Sequence, residues 1–167
     1  MTTSTPEPTW LDDEEQRAWR AYLRASRLLE ASLDSDLQHH GVQLSEYEII
    51  SMLSEQPDRR LRMSALADMV VQSRSRLTHT ASRLEKRGWV QREACAGDRR
   101  GVELVLTDDG ARTITAMARV HVASVREHLL SHLSRSQFLD LGGAMTAIAD
   151  GISASPTCEA ARADEPA

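Results

Sequence analysis

Residues 64–106 read SALADMVVQSRSRLTHTASRLEKRGWVQREACAGDRRGVELVL. Leu66, Ala67 and Val70 mark the buried side of a short helix, and Gln72–Ser73 makes a tight turn after it. A second helix follows, with Leu77, Ala81 and Leu84 on its inward stripe. Ser64 and Ser73 stand where hydroxyls cap helix N-termini, and Gly88 stands where a helix stops. Trp89–Glu93 and Val102–Leu106 then read as two short strands, the second alternating Val102, Leu104 and Leu106 on one face. Ala94–Gly101 between them is long for a tight turn and suits a protruding hairpin. Two helices across a short turn are a weak signal alone. Followed directly by a charged hairpin, they give the winged form of the helix-turn-helix.

The flanks are helical. Ala18, Tyr22, Ala25, Leu29, Leu33 and Leu37 share one face of a helix from Asp12 to about His40, with acidic residues at its start and Gly41 at its end. A helix this long usually packs against a partner chain. Ser45 and Glu48 have capping-box spacing ahead of Ile49, Ile50 and Leu53, and Pro57 stops that helix. Arg60–Met63 reads as a scrap of strand. After the hairpin, Thr107 caps a helix whose apolar positions run through Ile114, Ala118, Val122, Val125, Leu129 and Leu133, about seven turns. Ser134 and Gln137 box the start of a last helix through about Ile152, which contains Gly142–Gly143. The expected fold class is mainly α with a small β-hairpin wing, a winged helix-turn-helix with N- and C-terminal dimerisation helices.

Charge separates the middle of the chain from its ends. Over residues 59–100 eleven basic residues face four acidic ones, a balance of +7, so a chain of net charge −5 carries −12 elsewhere. A charge run is more often a solvated face than a site, but a basic segment on a helix-turn-helix is what phosphate binding requires. No apolar run is long enough to span a bilayer, and Met1–Thr9 shows neither a basic n-region nor an apolar h-region, so a cytoplasmic protein is expected. Cys95 and Cys158 make no CxxC pair. Catalytic signatures are missing too: no Gly-x-Ser-x-Gly, His-Glu-x-x-His or phosphate loop occurs, so no enzyme is expected.

Several motifs together resemble the MarR (multiple antibiotic resistance regulator) family of bacterial transcription factors. They are Leu66-Ala67-Asp68, then Ser73-Arg74-Ser75-Arg76-Leu77-Thr78, then Arg83-Leu84-Glu85-Lys86-Arg87-Gly88-Trp89-Val90 with Gln91-Arg92. The most specific stretch is Asp98-Arg99-Arg100 followed by Leu106-Thr107-Asp108-Asp109-Gly110. The resemblance covers about Asp12–Ile152. Trp89 stands where the family more often has Leu, and Thr80 and Ala81 replace bulkier residues. The resemblance implies one domain over 10–152, with dimerisation arms 10–40 and 108–152 and a winged helix-turn-helix at 45–106, between disordered tails 1–9 and 153–167.

Its implied function is a sequence-specific double-stranded DNA-binding regulator, read as a repressor with activation as the alternative. A homodimer would place two recognition helices roughly 34 Å apart on a pseudo-palindromic operator. Ser73, Arg74, Ser75, Arg76, Thr78 and His79 open the recognition helix toward the major groove, with Arg76 the candidate for a guanine contact and, equally, for a phosphate contact. Arg83 and Arg87 fall later, as phosphate clamps or solvated residues. Arg100 resembles the family's wing-tip arginine, which enters the minor groove. Asp98 would orient that guanidinium or serve as a plain turn-former, and Arg99 would touch phosphate. A non-specific architectural DNA binder is the competing class.

Family resemblance also implies release by a small aromatic or anionic effector held between arms and winged lobe. Trp19, Tyr22 and Tyr47, with Arg20 and Arg24, fall near that junction, although aromatics at helical spacing are more often core. No residue set singles out a ligand. His121, His128 and His132 share one expected helix, the last two at i, i+4, but apart from Glu127 or Asp140 no nearby cysteine or carboxylate pair completes a metal site, so neither metal nor cofactor is expected. Cys95 lies in an electropositive wing without a resolving partner, which favours an unreactive thiol over a redox sensor.

Overall fold

A computed structural model describes residues 9–95 and 98–153, without the side chains of Arg99 and Arg100. The two expected tails therefore lie, apart from Thr9 and Ser153, outside the described residues, as do Ala96, Gly97 and Cys158. Contacts divide the chain into two compact units that meet in sequence between Ser124 and Val125.

In the first unit, helix α1 (Asp13–Gln38) starts from a reciprocal cap. The Asp12 carboxylate accepts from the Glu14 and Glu15 amides at 2.8 and 2.9 Å, and the Glu15 carboxylate accepts from the Asp12 amide. Only Leu37 at its far end is buried. Ala18, Tyr22 and Ala25 of the expected inward face are exposed, and Leu29 and Leu33 are half-buried. Helix α2 (Leu44–Ser54) begins two residues earlier than the sequence suggests: its cap is Gln43, whose amide donates to the Glu46 carboxylate at 3.1 Å, rather than the Ser45–Glu48 box.

Strand β1 (Arg60–Arg62) leads directly into helix α3 (Met63–Met69). This helix starts after Arg62 without a side-chain cap, so Ser64 lies inside it rather than capping it. The turn falls on Val70–Val71, one residue pair earlier than expected, and Val71 adopts φ +50° while 90% exposed. Ser73 does cap helix α4 (Arg74–Lys86), its hydroxyl accepting from the Arg76 amide at 3.3 Å. Leu77, Ala81 and Leu84 are buried as expected, joined by Thr80. Gly88, at φ +72°, lets the chain leave α4 in a conformation that costs other residues.

Strands β2 (Val90–Cys95) and β3 (Asp98–Leu106) run further than expected, so pairing reaches almost to the tip and leaves no long loop. The sheet has three antiparallel strands in the order β1-β3-β2, because the Arg60–Arg62 scrap pairs with Glu103–Val105. Leu104 and Leu106 are buried, but Val102, expected on their face, is 40% exposed beyond the core's edge. Ile49, Ile50, Leu53, Leu66, Leu77 and Leu84 centre a core to which α2, α3, α4 and the sheet all contribute.

Thr107 links wing to helix: its hydroxyl donates to the Gly88 carbonyl at 2.7 Å and accepts from the Gly110 amide at 3.1 Å. It opens helix α5 (Asp108–His128), which ends about a turn before the expected Leu133. Leu130–His132 form a 3₁₀ turn instead, and Leu133 is extended. In the second unit, helix α6 (Arg135–Ser153) starts at the expected Ser134–Gln137 box. No described helix is long and apolar enough to cross a membrane.

Candidate nucleic-acid interface

Helix α4 buries one stripe and turns the other outward. Ser73, Arg74, Ser75, Arg76, Thr78 and His79 are all exposed, so the structure brings the expected recognition residues onto one surface. Local bonds already use part of their capacity. The Ser73 hydroxyl is the helix cap and lies 3.3 Å from Ser75 Oγ, and Thr78 Oγ1 donates to the Arg74 carbonyl at 2.8 Å. The hydroxyls of Ser73 and Thr78 therefore fix the shape of the first turns, while Arg76 and His79 project from them. Ser75, Arg76, His79 and Arg83 line one shallow cleft with Gln43 and Ser45.

Arg76 also feels the Glu48 carboxylate on α2. Burial raises the Glu48 pKa above the ordinary carboxylate value, and the nearby Glu30 charge raises it further. The Arg76 charge and a hydrogen bond from Gln72 pull it back.

The other basic residues are largely committed inside the protein. Arg83 and Arg87 were expected as phosphate clamps or solvated groups, but both reach the buried carboxylate of Glu46. Arg59 pairs with Asp108 at 3.3 Å, Arg60 with Glu93 and Glu103 at 3.1 and 3.4 Å, and Arg62 with Asp98 at 3.2 Å. From β2, Arg92 pairs with Glu85 and donates to the Thr78 carbonyl and Ser82 hydroxyl at 3.1 and 3.0 Å, tying the wing to α4. Among the described residues, at least these six cations of 59–100 are paired within the protein. Sequence reasoning missed Glu46 and Arg92, because their partners are identified only by the fold.

At the wing, Asp98 begins β3 and accepts from Arg62 Nη1. This exceeds a plain turn-former, since it anchors the wing to β1. The side chains of Arg99 and Arg100 lie outside the described residues.

The three candidate pocket aromatics separate into two pairs. Trp19 stacks on Tyr22 along α1, with ring centroids 5.8 Å apart and both rings nearly half exposed. Tyr47 is buried and lies 4.4 Å from the His121 ring. Burial raises the Tyr47 pKa and lowers that of His121, whose Nδ1 is buried without a partner among the described residues.

Because α5 ends at His128, His132 lies in the 3₁₀ turn and the expected i, i+4 helical face does not form. Among the described residues, no three His, Cys, Asp or Glu side chains gather to hold a metal ion. Cys95 is buried at the wing, packed where a Cβ on Gly101 would collide with its sulfur, so an oxidant in solution has little access to it.

Comparison with known proteins agrees with this geometry. The model of the MarR family matches residues 40–101. The chain is 42% identical to AbsC, a MarR family transcriptional regulator from Streptomyces coelicolor, with TM-score 0.83 over 89% of this chain and 100% of that one. It is equally identical to Sco3205, a MarR family regulator of the same organism solved in complex with DNA, with TM-score 0.85 over 90% and 95% of the two chains. Among curated proteins, the HTH-type transcriptional regulator PecS of Dickeya dadantii is 29% identical over 128 residues, 76% of each chain.

Proposed function

We propose, from the premise that this chain belongs to the MarR family of transcriptional regulators, how it binds double-stranded DNA and with which residues. The observation that carries the reading is the exposed first half of α4, with Ser75, Arg76 and His79 outward on a helix braced by α2 and by Arg92 of the wing. This half enters the major groove, where Arg76 and His79 reach base edges or phosphates and Ser73, Arg74, Ser75 and Thr78 set register. The wing delivers Arg100 to the minor groove and Arg99 to phosphate, as the family resemblance implies, with Asp98 near the tip tied to Arg62 of β1. Residues 45–106 form the winged helix-turn-helix of a domain spanning 10–152, and arms 10–40 and 108–152 pair two copies on a pseudo-palindromic operator.

The protein acts as a repressor in the cytoplasm, catalyses no reaction, and is released by a small aromatic or anionic effector. The solved DNA complex of Sco3205, at 42% identity, supports the DNA reading. Exposed apolar side chains on α1 and α6 support the dimer.

The test is binding to the DNA upstream of the protein's own gene, against a scrambled duplex, across a salt series and with Arg100→Ala. Salt-dependent binding with a preference of roughly 10³ or more, weakened by the substitution, is the expected result. Equal binding to both duplexes would move the protein to the architectural class. No binding at low salt would overturn the proposal.

A further inference from the structure

Glu46 is 3% exposed, yet its carboxylate joins the start of α2 to the C-terminal half of α4. Its Oε1 accepts from Arg83 Nε at 3.3 Å, and its Oε2 accepts from Arg87 Nη1 at 3.0 Å and from the Gln43 amide at 3.1 Å. Arg83 donates a further bond through Nη2 to Gln43 Oε1 at 2.7 Å, and the Arg87 guanidinium lies 3.6 Å over the Trp89 ring. Arg83 is nevertheless 47% exposed and lines the same cleft as Ser75, Arg76 and His79. It borders the surface assigned to DNA while its charge is answered from inside.

An arginine so held makes a poor phosphate clamp. Turning it toward DNA would take the Arg83 donor from Oε1 of a buried carboxylate and leave Arg87 and the Gln43 amide, both on Oε2, to answer the charge, which is costly in a buried site. Phosphate contacts carry no sequence information and supply most of the affinity for random DNA. A residue that withholds two cations from phosphate therefore lowers the sequence-independent share of binding.

We propose that Glu46 is a specificity-determining positioning residue, which engages Arg83 of α4 and Arg87 at its C-terminal cap in intramolecular ion pairs and keeps them off the DNA backbone. The inference rests on the DNA-binding reading above. Arg76, His79 and the wing then make the contacts that discriminate sequence, because the charge that would hold any sequence is engaged elsewhere.

The experiment measures affinity of the full chain for a short random-sequence duplex between about 50 and 200 mM salt, for wild type, Glu46→Gln and Arg83→Gln. The slope of log affinity against log salt should steepen in Glu46→Gln by about 0.9 for each arginine released, and random DNA should be bound more tightly. Adding Arg83→Gln and Arg87→Gln to Glu46→Gln should restore the wild-type slope. Arg83→Gln alone should leave the slope unchanged, and this variant decides the matter if Glu46→Gln does not fold in a thermal melt. An unchanged or shallower slope in folded Glu46→Gln overturns the proposal, because a purely structural carboxylate would alter stability without adding a phosphate contact. A loss of about 0.9 in Arg83→Gln overturns it as well. Wild-type protein that binds no duplex at any salt would sink the regulator reading itself, a result distinct from either of these.

Discussion

Gly110 is a helical glycine whose replacement by alanine should destabilise the fold, against the usual trend. A Cβ there would overlap the Trp89 carbonyl and the Leu106 side chain, so α5 could not approach the wing. Gly110→Ala should cost about 1–3 kcal/mol in a urea titration, whereas an unhindered helical site would gain up to about 1. Val71 works in the opposite direction. As a largely exposed β-branched residue at φ +50° it carries strain, and Val71→Asn should gain about 0.5–1 kcal/mol without touching the core. His121 gives a pH dependence. Burial beside Tyr47 holds its pKa below 6.5, so the unfolded chain binds its proton first as pH falls. Its contribution is complete above 6.5 and is lost as pH drops from there through the lowered folded value. The urea midpoint should therefore fall between pH 7 and 5, and His121→Gln should flatten that fall.

Helix starts separate what local sequence shows from what the fold decides. Ser73→Ala should cost about 1 kcal/mol in stability because Ser73 caps α4, while Ser64→Ala inside α3 should stay within about 0.5. Equal losses in the two melts would contradict the assignment. Ser73, Thr107 and Ser134 were legible because each cap partner lies three residues away in sequence. Ser45 misled for the same reason: Gln43–Glu46 has identical spacing, and only the packing of Glu46 against Arg83 and Arg87 selects it. The recognition surface could be read from the alternation of Leu77, Ala81 and Leu84 with polar residues. The clamps that hold it could not, since Glu46 and Arg62 pair with residues about 36 to 41 positions away. The long histidine helix failed at its C-terminus because Leu129 and Leu133 continue the apolar spacing while the backbone tightens into a 3₁₀ turn.

Over the whole molecule, apolar surface and charge are both unevenly placed. Leu141, Ile148 and Ile152 recur on one face of α6 at 37%, 50% and 61% exposure, and Leu28 on α1 is 57% exposed. An Ile148→Glu substitution should shift sedimentation toward monomer, and an unchanged dimer would place the interface elsewhere. The charge pattern has a mechanical side. Four consecutive acidic residues stand at the start of α1, while Leu37 at its other end belongs to the core that α4 also lines. At about 1.5 Å per residue, that is a lever of roughly 36 Å from Asp13 to Leu37. In the field of a polyanion the acidic start of α1 is pushed away and the basic segment 59–100 is drawn in, which makes a torque as well as an attraction. Encounters then begin already turned the right way round. This orienting couple reaches across the lever where screening extends about 30 Å, near 0.01 M salt, and shortens to about 10 Å at about 0.1 M, well short of the lever's length.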